Sequence, residues 1–316
     1  MKYKCFVTGG AGLIGLSVCR ELLKRGHEVY LYDLGEQVIR NKTKIPKNVN
    51  ILIGSILDKH TLTTSMKNCD YVFHLAAMLG VKYTEDNKLS CLEVNCTGTK
   101  NVLEAATTNK VKKFIFASSS EVYGEPDTNP ISEKNSTKGK TIYGISKING
   151  EEYCKAYRQK YSLNYTILRF FNTYGPNQDE KFVITKFIRA ALNNQHMIIN
   201  GYGNQKRSYT YVDDSARATV IAAFNKKTNQ KIYNVGNGDE PITLKELAAK
   251  VARKLKKKVK IKYKKNFSGS DRSKDREIFI RYCDSSKIKR AINWKPLVKV
   301  DEGIVKIVKS IKDAQK

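Results

Sequence analysis

The run Gly9-Gly10-Ala11-Gly12-Leu13-Ile14-Gly15 constrains this chain more than any other feature. It follows Lys4–Thr8, which reads as a first β-strand, and opens a stretch with helical spacing over Leu16–Arg25. Glycines at 9, 12 and 15 permit a tight turn, let backbone approach a pyrophosphate, and allow the helix to pack closely on the strand. The helix N-terminus that follows then offers free N–H groups to phosphate. A second apolar stretch, Glu28–Asp33, ends on a carboxylate 18 positions beyond Gly15. A carboxylate there accepts hydrogen bonds from an adenosine ribose and repels a 2′-phosphate, which favours NAD over NADP. Together these residues imply a dinucleotide site made by Gly9, Gly12, Leu13, Ile14, Gly15 and Asp33.

The same alternation continues. Strand-like stretches at Asn50–Gly54, Tyr71–Leu75, Phe114–Ser118 and Tyr165–Phe170 are separated by helix-spaced stretches at Thr61–Lys67, Leu89–Asn109 and Ser146–Tyr161. Such alternation implies an α/β fold with a doubly wound parallel sheet. Beyond Thr173 the pattern loosens into a helix at Phe182–Asn193, another near Asp213–Phe224, a strand at Lys231–Val235 and a helix opened by Thr243. Thr243 with Glu246 three residues on forms a capping box. The expected division is a dinucleotide-binding domain over 1–172 and a smaller C-terminal lobe over 173–316 that partly returns to the sheet.

Composition sets limits on function. Hydrophobic residues make up 41% of the 316, and no apolar run approaches the roughly 18–20 residues of a membrane span. No apolar leader precedes the first strand, so the expectation is cytoplasmic. The chain carries 58 Lys+Arg against 30 Asp+Glu, a net +28. Such a balance raises the question of a nucleic-acid or anionic-membrane surface. Within the dense run from Lys254 to Lys265, however, Val259, Ile261 and Tyr263 alternate with lysines, the pattern of a strand with one wet face. No zinc-finger or helix-turn-helix spacing accompanies it. Neither a nucleic-acid nor a membrane partner is therefore expected, although the charge favours encounter with a diphosphate substrate. The seven cysteines form no CxxC pair and read as buried thiols. His27, His60, His74 and His196 are scattered, and no metal site is expected.

Tyr143 and Lys147 stand four apart at the entry to a helix, which puts them on one face. A nearby ammonium lowers a tyrosine pKa, so the phenolate can take a hydroxyl proton as hydride leaves carbon. Upstream, the fifth strand ends in Ser118-Ser119-Ser120-Glu121-Val122-Tyr123-Gly124. Ligands sit at that edge of open α/β sheets, and a hydroxyl there can hold the same substrate oxygen.

With these residues in place, the chain resembles the extended short-chain dehydrogenase/reductase family of Rossmann-fold enzymes. Its nearest likeness there is to NAD-dependent nucleotide-sugar epimerases and dehydratases such as UDP-galactose 4-epimerase. The likeness spans the whole chain and rests on ordered motifs. These are TGGAGLIG from Thr8, HLAA from His74, VNCTGT from Val94, SSSEVYG from Ser118, YGISK from Tyr143, RFFNTYGP from Arg169, RSYTYVDD from Arg207, and Asp284-Ser285-Ser286-Lys287 followed by Asn293-Trp294-Lys295-Pro296. The resemblance implies that Gly9, Gly12, Gly15 and Asp33 bind NAD, that Ala76 and Ala77 line its path, and that Lys147 also grips the nicotinamide ribose. It implies that Ser119 and Tyr143 hold and deprotonate a sugar hydroxyl, with Ser120 nearby, and that Asn95 braces the active-site backbone. It places Asn172 and Arg207 on the substrate diphosphate, with Arg276 or Arg281 as a second cation. Two departures stand out. Ser55 follows Gly54 where the family usually has an adenine-contacting Asp, and Asp58 comes too late to replace it. Ser273-Lys274-Asp275-Arg276-Glu277 also replaces the usual Arg-x-Gly-Asp spacing.

Three chemistries share this scaffold, each beginning with oxidation of C4 of a nucleotide-activated sugar. The resemblance puts C4 epimerisation through a transient 4-keto sugar first, on a substrate expected to be a UDP-sugar. UDP-glucuronate decarboxylation comes second, because Ser120-Glu121 matches the Ser-Glu pair of the decarboxylases and Arg281 sits where they keep an arginine for the carboxylate. A 4,6-dehydratase is third, since the Asp of the glucose-type enzymes is missing. A nucleic-acid-binding protein and an inactive NAD-sensing scaffold are the rival classes. The scaffold reading is disfavoured because Ser119, Tyr143 and Lys147 are all present. The family also implies a homodimer, built on the helices over 89–109 and 146–161. Both carry apolar residues beyond one stripe, including Leu92, Val94, Val102, Leu103 and Ala156.

Overall fold

The computed structural model describes residues 1–264 and 277–314. Six strands run in sequence order: β1 (Lys4–Thr8), β2 (Glu28–Asp33), β3 (Val49–Ile53), β4 (Tyr71–His74), β5 (Lys113–Ser119) and β6 (Tyr165–Phe170). With Lys231–Val235 they make a seven-stranded sheet in the order Lys231–Val235, β6, β5, β4, β1, β2, β3. Every pairing in it is parallel. Helices cover both faces, so the central strands are apolar in both directions. Cys5 and Val7 of β1 face one core, shared with Val18, Leu22, Ile115 and Leu168. Phe6 faces the other, with Tyr32, Val72, Phe114, Phe116 and Val102. This is the expected Rossmann architecture.

The helices depart from the sequence pattern where tertiary contacts intervene. The glycine helix spans Leu13–Lys24 rather than starting at Leu16. The third helix spans Lys59–Ser65 and is capped by Asp58, whose carboxylate accepts the Thr61 N–H at 3.1 Å. That bond gives Asp58 a structural role. The helix expected over 89–109 is three pieces: Lys88–Leu92, a wide π turn at Glu93–Thr97, and Gly98–Thr108. Such turns insert one extra residue and recur at functional sites; this one carries Asn95. Val102 and Leu103 point into the core rather than outward, whereas Leu89 is 84% exposed.

After Phe170 the chain builds a third cluster around Phe187, Leu247, Val251 and Ile304. Here Pro241–Thr243, Lys206–Ser208 and Ile280–Arg281 form a three-stranded sheet. The capping box at Thr243 and Glu246 is present at the start of the helix Leu244–Leu255. That helix absorbs the beginning of the lysine run and ends at Lys256, in the left-handed region at φ 54°. The strand follows only at Ile261–Lys264, with Tyr263 45% exposed. Parts of this half return to the main sheet: Lys231–Val235 pairs with β6, the helix Val212–Phe224 packs on the glycine helix, and Ile288, Ile292 and Trp294 join the same core. All seven cysteines are free thiols, and six are buried. Among the described residues no helix is long and apolar enough to cross a membrane.

Candidate active site

Strand order reverses between β1 and β4, and in open α/β sheets ligands bind at that switch point, beyond the carboxyl ends of the strands. Gly9 sits at φ +68°, and a Cβ on Gly15 would lie 2.1 Å from the Gly9 carbonyl oxygen. Glycine is therefore obligatory where helix and turn touch. No side chain caps the helix at Gly12, so its first N–H groups remain available to a pyrophosphate. Asp33 closes β2, and its carboxylate accepts the N–H of Ala11 and of Leu34, each at 2.9 Å. Burial raises its pKa while those two N–H groups oppose the rise. This cradle fits a dinucleotide. At the adenine end, the Ser55 carbonyl accepts from Tyr32 Oη at 2.9 Å and the Ile56 carbonyl from Asn101 at 3.1 Å. The Ile56 carbonyl is thus already engaged within the chain.

Behind the cradle runs a buried polar relay. Thr99 Oγ1 donates to the Asn95 carbonyl at 2.6 Å. It must therefore accept from His74 Nε2 at 2.9 Å, leaving Nδ1 to accept from Thr8 Oγ1 at 2.8 Å. The hydrogen-bond network thus assigns one neutral tautomer. Burial, aided by the Lys147 charge, pushes the His74 pKa down to about 3. Asn95 then holds Met78 at both backbone groups, 2.8 and 3.0 Å, and donates to Ser146 Oγ at 3.1 Å. Ser146 donates to the Tyr143 carbonyl at 2.8 Å. Asn95 is a brace, as the resemblance implies.

Tyr143 and Lys147 lie in the first two turns of the helix Ile142–Tyr161, which begins four residues before the expected Ser146. Thr141 caps it by accepting the Gly144 N–H at 3.0 Å. A Cβ on Gly144 would come within 2.7 Å of the Glu121 carbonyl oxygen, so this glycine lets the helix press against the end of β5. Ser119, the last residue of β5, sets its hydroxyl beside the Tyr143 phenol. Burial raises the Tyr143 pKa, the Glu121 charge adds to the rise, and the Ser119 hydroxyl opposes it. Lys147 Nζ lies 5.7 Å from the Tyr143 ring centroid and 5.0 Å from that of Phe116. Burial pulls its pKa down to about 8. Ser119, Tyr143 and Lys147 thus converge beside the cradle. Ser120 is buried in the turn that follows.

Glu121 forms a buried ion pair with Arg281 at 2.5 Å, their side chains 8% and 4% exposed. Arg281 stands in register with Arg207 on the neighbouring strand. Arg207 is engaged by Glu277 at 2.9 Å and by the Lys206 and Phe279 carbonyls at 3.0 Å. Asn172, at φ 35°, donates to the Ser208 carbonyl at 2.8 Å. Two guanidinium groups therefore sit side by side, each with a carboxylate. Arg276 lies outside the described residues. Sequence reasoning missed Glu151, which accepts from Ser118 Oγ and pairs with Arg169 at 2.6 Å in the core. It also missed Glu85, which accepts the Ile142 N–H at 2.8 Å. The spacing of Glu151 one turn after Lys147 was a usable signal; Glu85 had none.

A glycine-cradled helix start, facing a Ser–Tyr–Lys cluster across the switch point, defines a dinucleotide-binding α/β enzyme. Residues 5–236 match the NAD dependent epimerase/dehydratase family. The chain is 37% identical to UDP-N-acetyl-alpha-D-glucosaminuronate decarboxylase of Bacillus cytotoxicus, covering 100% of this chain and 99% of the relative. Its fold matches a UDP-glucose 4-epimerase of Thermotoga maritima, solved with UDP-glucose, at a TM-score of 0.91 and 29% identity over 99% of this chain and 100% of that one. A UDP-glucuronic acid 4-epimerase of Bacillus cereus, solved with UDP-glucuronic acid and NAD, matches at 0.89 and 28% identity over 98% and 99%. The chain belongs to the NAD-dependent epimerase/dehydratase family.

Proposed function

We propose that this enzyme uses NAD to oxidise C4 of a UDP-linked uronic sugar and then releases the C6 carboxyl as CO₂. The observation that carries the reading is the Glu121–Arg281 ion pair, buried beside Tyr143. A neutral hexose offers that guanidinium only hydroxyl oxygens and no charge to replace Glu121, whereas a C6 carboxylate can take the place of Glu121. The resemblance put C4 epimerisation first; the pair moves decarboxylation ahead of it, and the 37% identity to a decarboxylase supports the same order.

The Gly9–Gly15 turn and Asp33 would hold NAD, which would supply the hydride acceptor for C4 and, reduced, the hydride donor at the end of the cycle. Ser119 holds the C4 oxygen while Tyr143 takes its proton. The Lys147 ammonium, 5.7 Å from the Tyr143 ring centroid, stabilises the phenolate as it forms. Arg281 receives the C6 carboxylate in exchange for Glu121. Once C4 is a ketone, the C5–C6 electron pair is delocalised into the carbonyl as CO₂ departs. Glu121, relieved of its partner in a buried site, takes up a proton and delivers it to C5. Asn172 and Arg207 bind the diphosphate, with the Arg207–Glu277 pair opening to admit it.

A C4 epimerase acting on the same uronate is the second reading, favoured by the likeness to the Bacillus cereus enzyme. Incubation with UDP-glucuronate, UDP-N-acetylglucosaminuronate and UDP-glucose in deuterated water decides between them. Loss of CO₂ with one deuterium at C5, abolished in Glu121→Gln, is the expected result. A product of unchanged mass inverted at C4, formed equally well by Glu121→Gln, overturns the proposal in favour of epimerisation.

A further inference from the structure

We infer that Glu85 is a positioning residue for Tyr143, a latch through which the segment beyond the cofactor cradle holds the first turn of the catalytic helix. Ile142 is the first residue of that helix, and its N–H is donated to Glu85 Oε1 at 2.8 Å. Early helix N–H groups have no partner inside the helix, and a carboxylate there also opposes the positive end of the helix dipole. Thr141 already serves Gly144, so Glu85 and Thr141 divide the capping of the turn that carries Tyr143.

Glu85 arrives from elsewhere in the fold. It lies on the short helix Val81–Asp86, which follows the Ala76–Met78 stretch held by Thr8 and Asn95. That helix starts at Gly80, at φ 102° and ψ 113°, and ends at Asn87, at φ −130° and ψ 56°. Irregular backbone thus bounds it at both ends. It packs on the catalytic helix, and Thr84 ties it back to Gly80 at 3.0 Å. The side chain of Glu85 is 15% exposed, with Lys88 Nζ at 3.9 Å from its other oxygen. A shift of this unit therefore reaches the Tyr143 turn through its packing on that helix and through the charge-assisted hydrogen bond from Ile142.

The inference rests on Tyr143 acting in the proposed reaction, so its test has one arm that does not need turnover. Amide hydrogen exchange is followed over residues 141–146 in NAD-bound wild type, Glu85→Ala and Glu85→Gln. Glu85→Ala removes the acceptor and should speed exchange there by roughly 5- to 30-fold, the usual worth of a helix cap. Glu85→Gln keeps an acceptor and should stay within about threefold of wild type. On whichever UDP-sugar wild type consumes, kcat of Glu85→Ala should fall by a similar factor with KM and NAD retention unchanged. Unaltered exchange in Glu85→Ala, or Glu85→Gln as damaging as Glu85→Ala, overturns the latch. So does a loss in which kcat and KM change together. If wild type consumes no UDP-sugar, the proposed reaction fails while the exchange arm still decides the cap. Should Glu85→Ala not fold, Ile142→Pro removes the same bond from the donor side. Proline is tolerated at the first helical position, and Thr141 already has the extended backbone that precedes it, φ −124° and ψ 156°. Ile142→Pro should lower kcat like Glu85→Ala; wild-type turnover in it counts against the latch.

Discussion

Acid should destabilise this protein through His74 before most carboxylates titrate. The imidazole is buried between Thr8 and Thr99 in one neutral tautomer, and its pKa falls from 6.5 to about 3 on folding. Between those values the unfolded chain binds a proton that the folded chain refuses, so stability is lost as pH falls. The loss begins near 6.5 and stops growing near 3. From about pH 7.5 to about pH 5, linkage gives a loss of about 2 kcal/mol from this residue. His74→Gln keeps a donor and an acceptor but does not titrate. Urea unfolding of both proteins at the two pH values, at one fixed saturating NAD concentration, isolates the effect, because other groups cancel in the difference. Wild type should lose about 2 kcal/mol more than His74→Gln. Equal losses would refute the reasoning, for they would mean that the folded chain accepts the proton.

Tyr143→Phe keeps the ring and removes the proton acceptor, so turnover should fall by at least roughly 10²-fold while NAD still binds; full activity in a steady-state assay would remove Tyr143 from the mechanism. Lys147→Met should lower turnover and also weaken NAD, measured by titration, if one ammonium serves both phenolate and ribose. NAD should bind at least about tenfold tighter than NADP, about 1.4 kcal/mol, if Asp33 receives the ribose hydroxyls; tighter NADP binding would displace Asp33 from that role. The exposed Leu89 and the outer faces of the flanking helices should pair with a second copy, and light scattering at micromolar concentration should report a homodimer rather than a monomer.

Much of this protein is written in short-range pattern. Strand, glycine turn, helix and acidic strand end are local features, and the backbone constraints behind them act within a few residues. They located the cradle from Gly9 to Asp33, and the four-residue spacing of Tyr143 and Lys147 fixed one helix face without further information. What tertiary structure alone decided are the partnerships made across long stretches of chain. Arg281 meets Glu121 across a separation of 160 residues because Ile280–Arg281 pairs with Lys206–Ser208 in one register. No local periodicity encodes that register, and the proposed exchange of Glu121 for a substrate carboxylate depends on it. The π turn at Asn95 interrupts a helix whose apolar spacing looks continuous, because bonds to Met78 and Ser146 outweigh one regular turn. Whether Val102 faced core or solvent depended on where that extra residue was inserted. Glu85, an ordinary surface glutamate in the sequence, became a helix cap only when folding brought it to Ile142, 57 residues away. Backbone chemistry is local and legible, whereas the pairing of buried charges and the capping of helices by distant side chains exist only once the chain has packed.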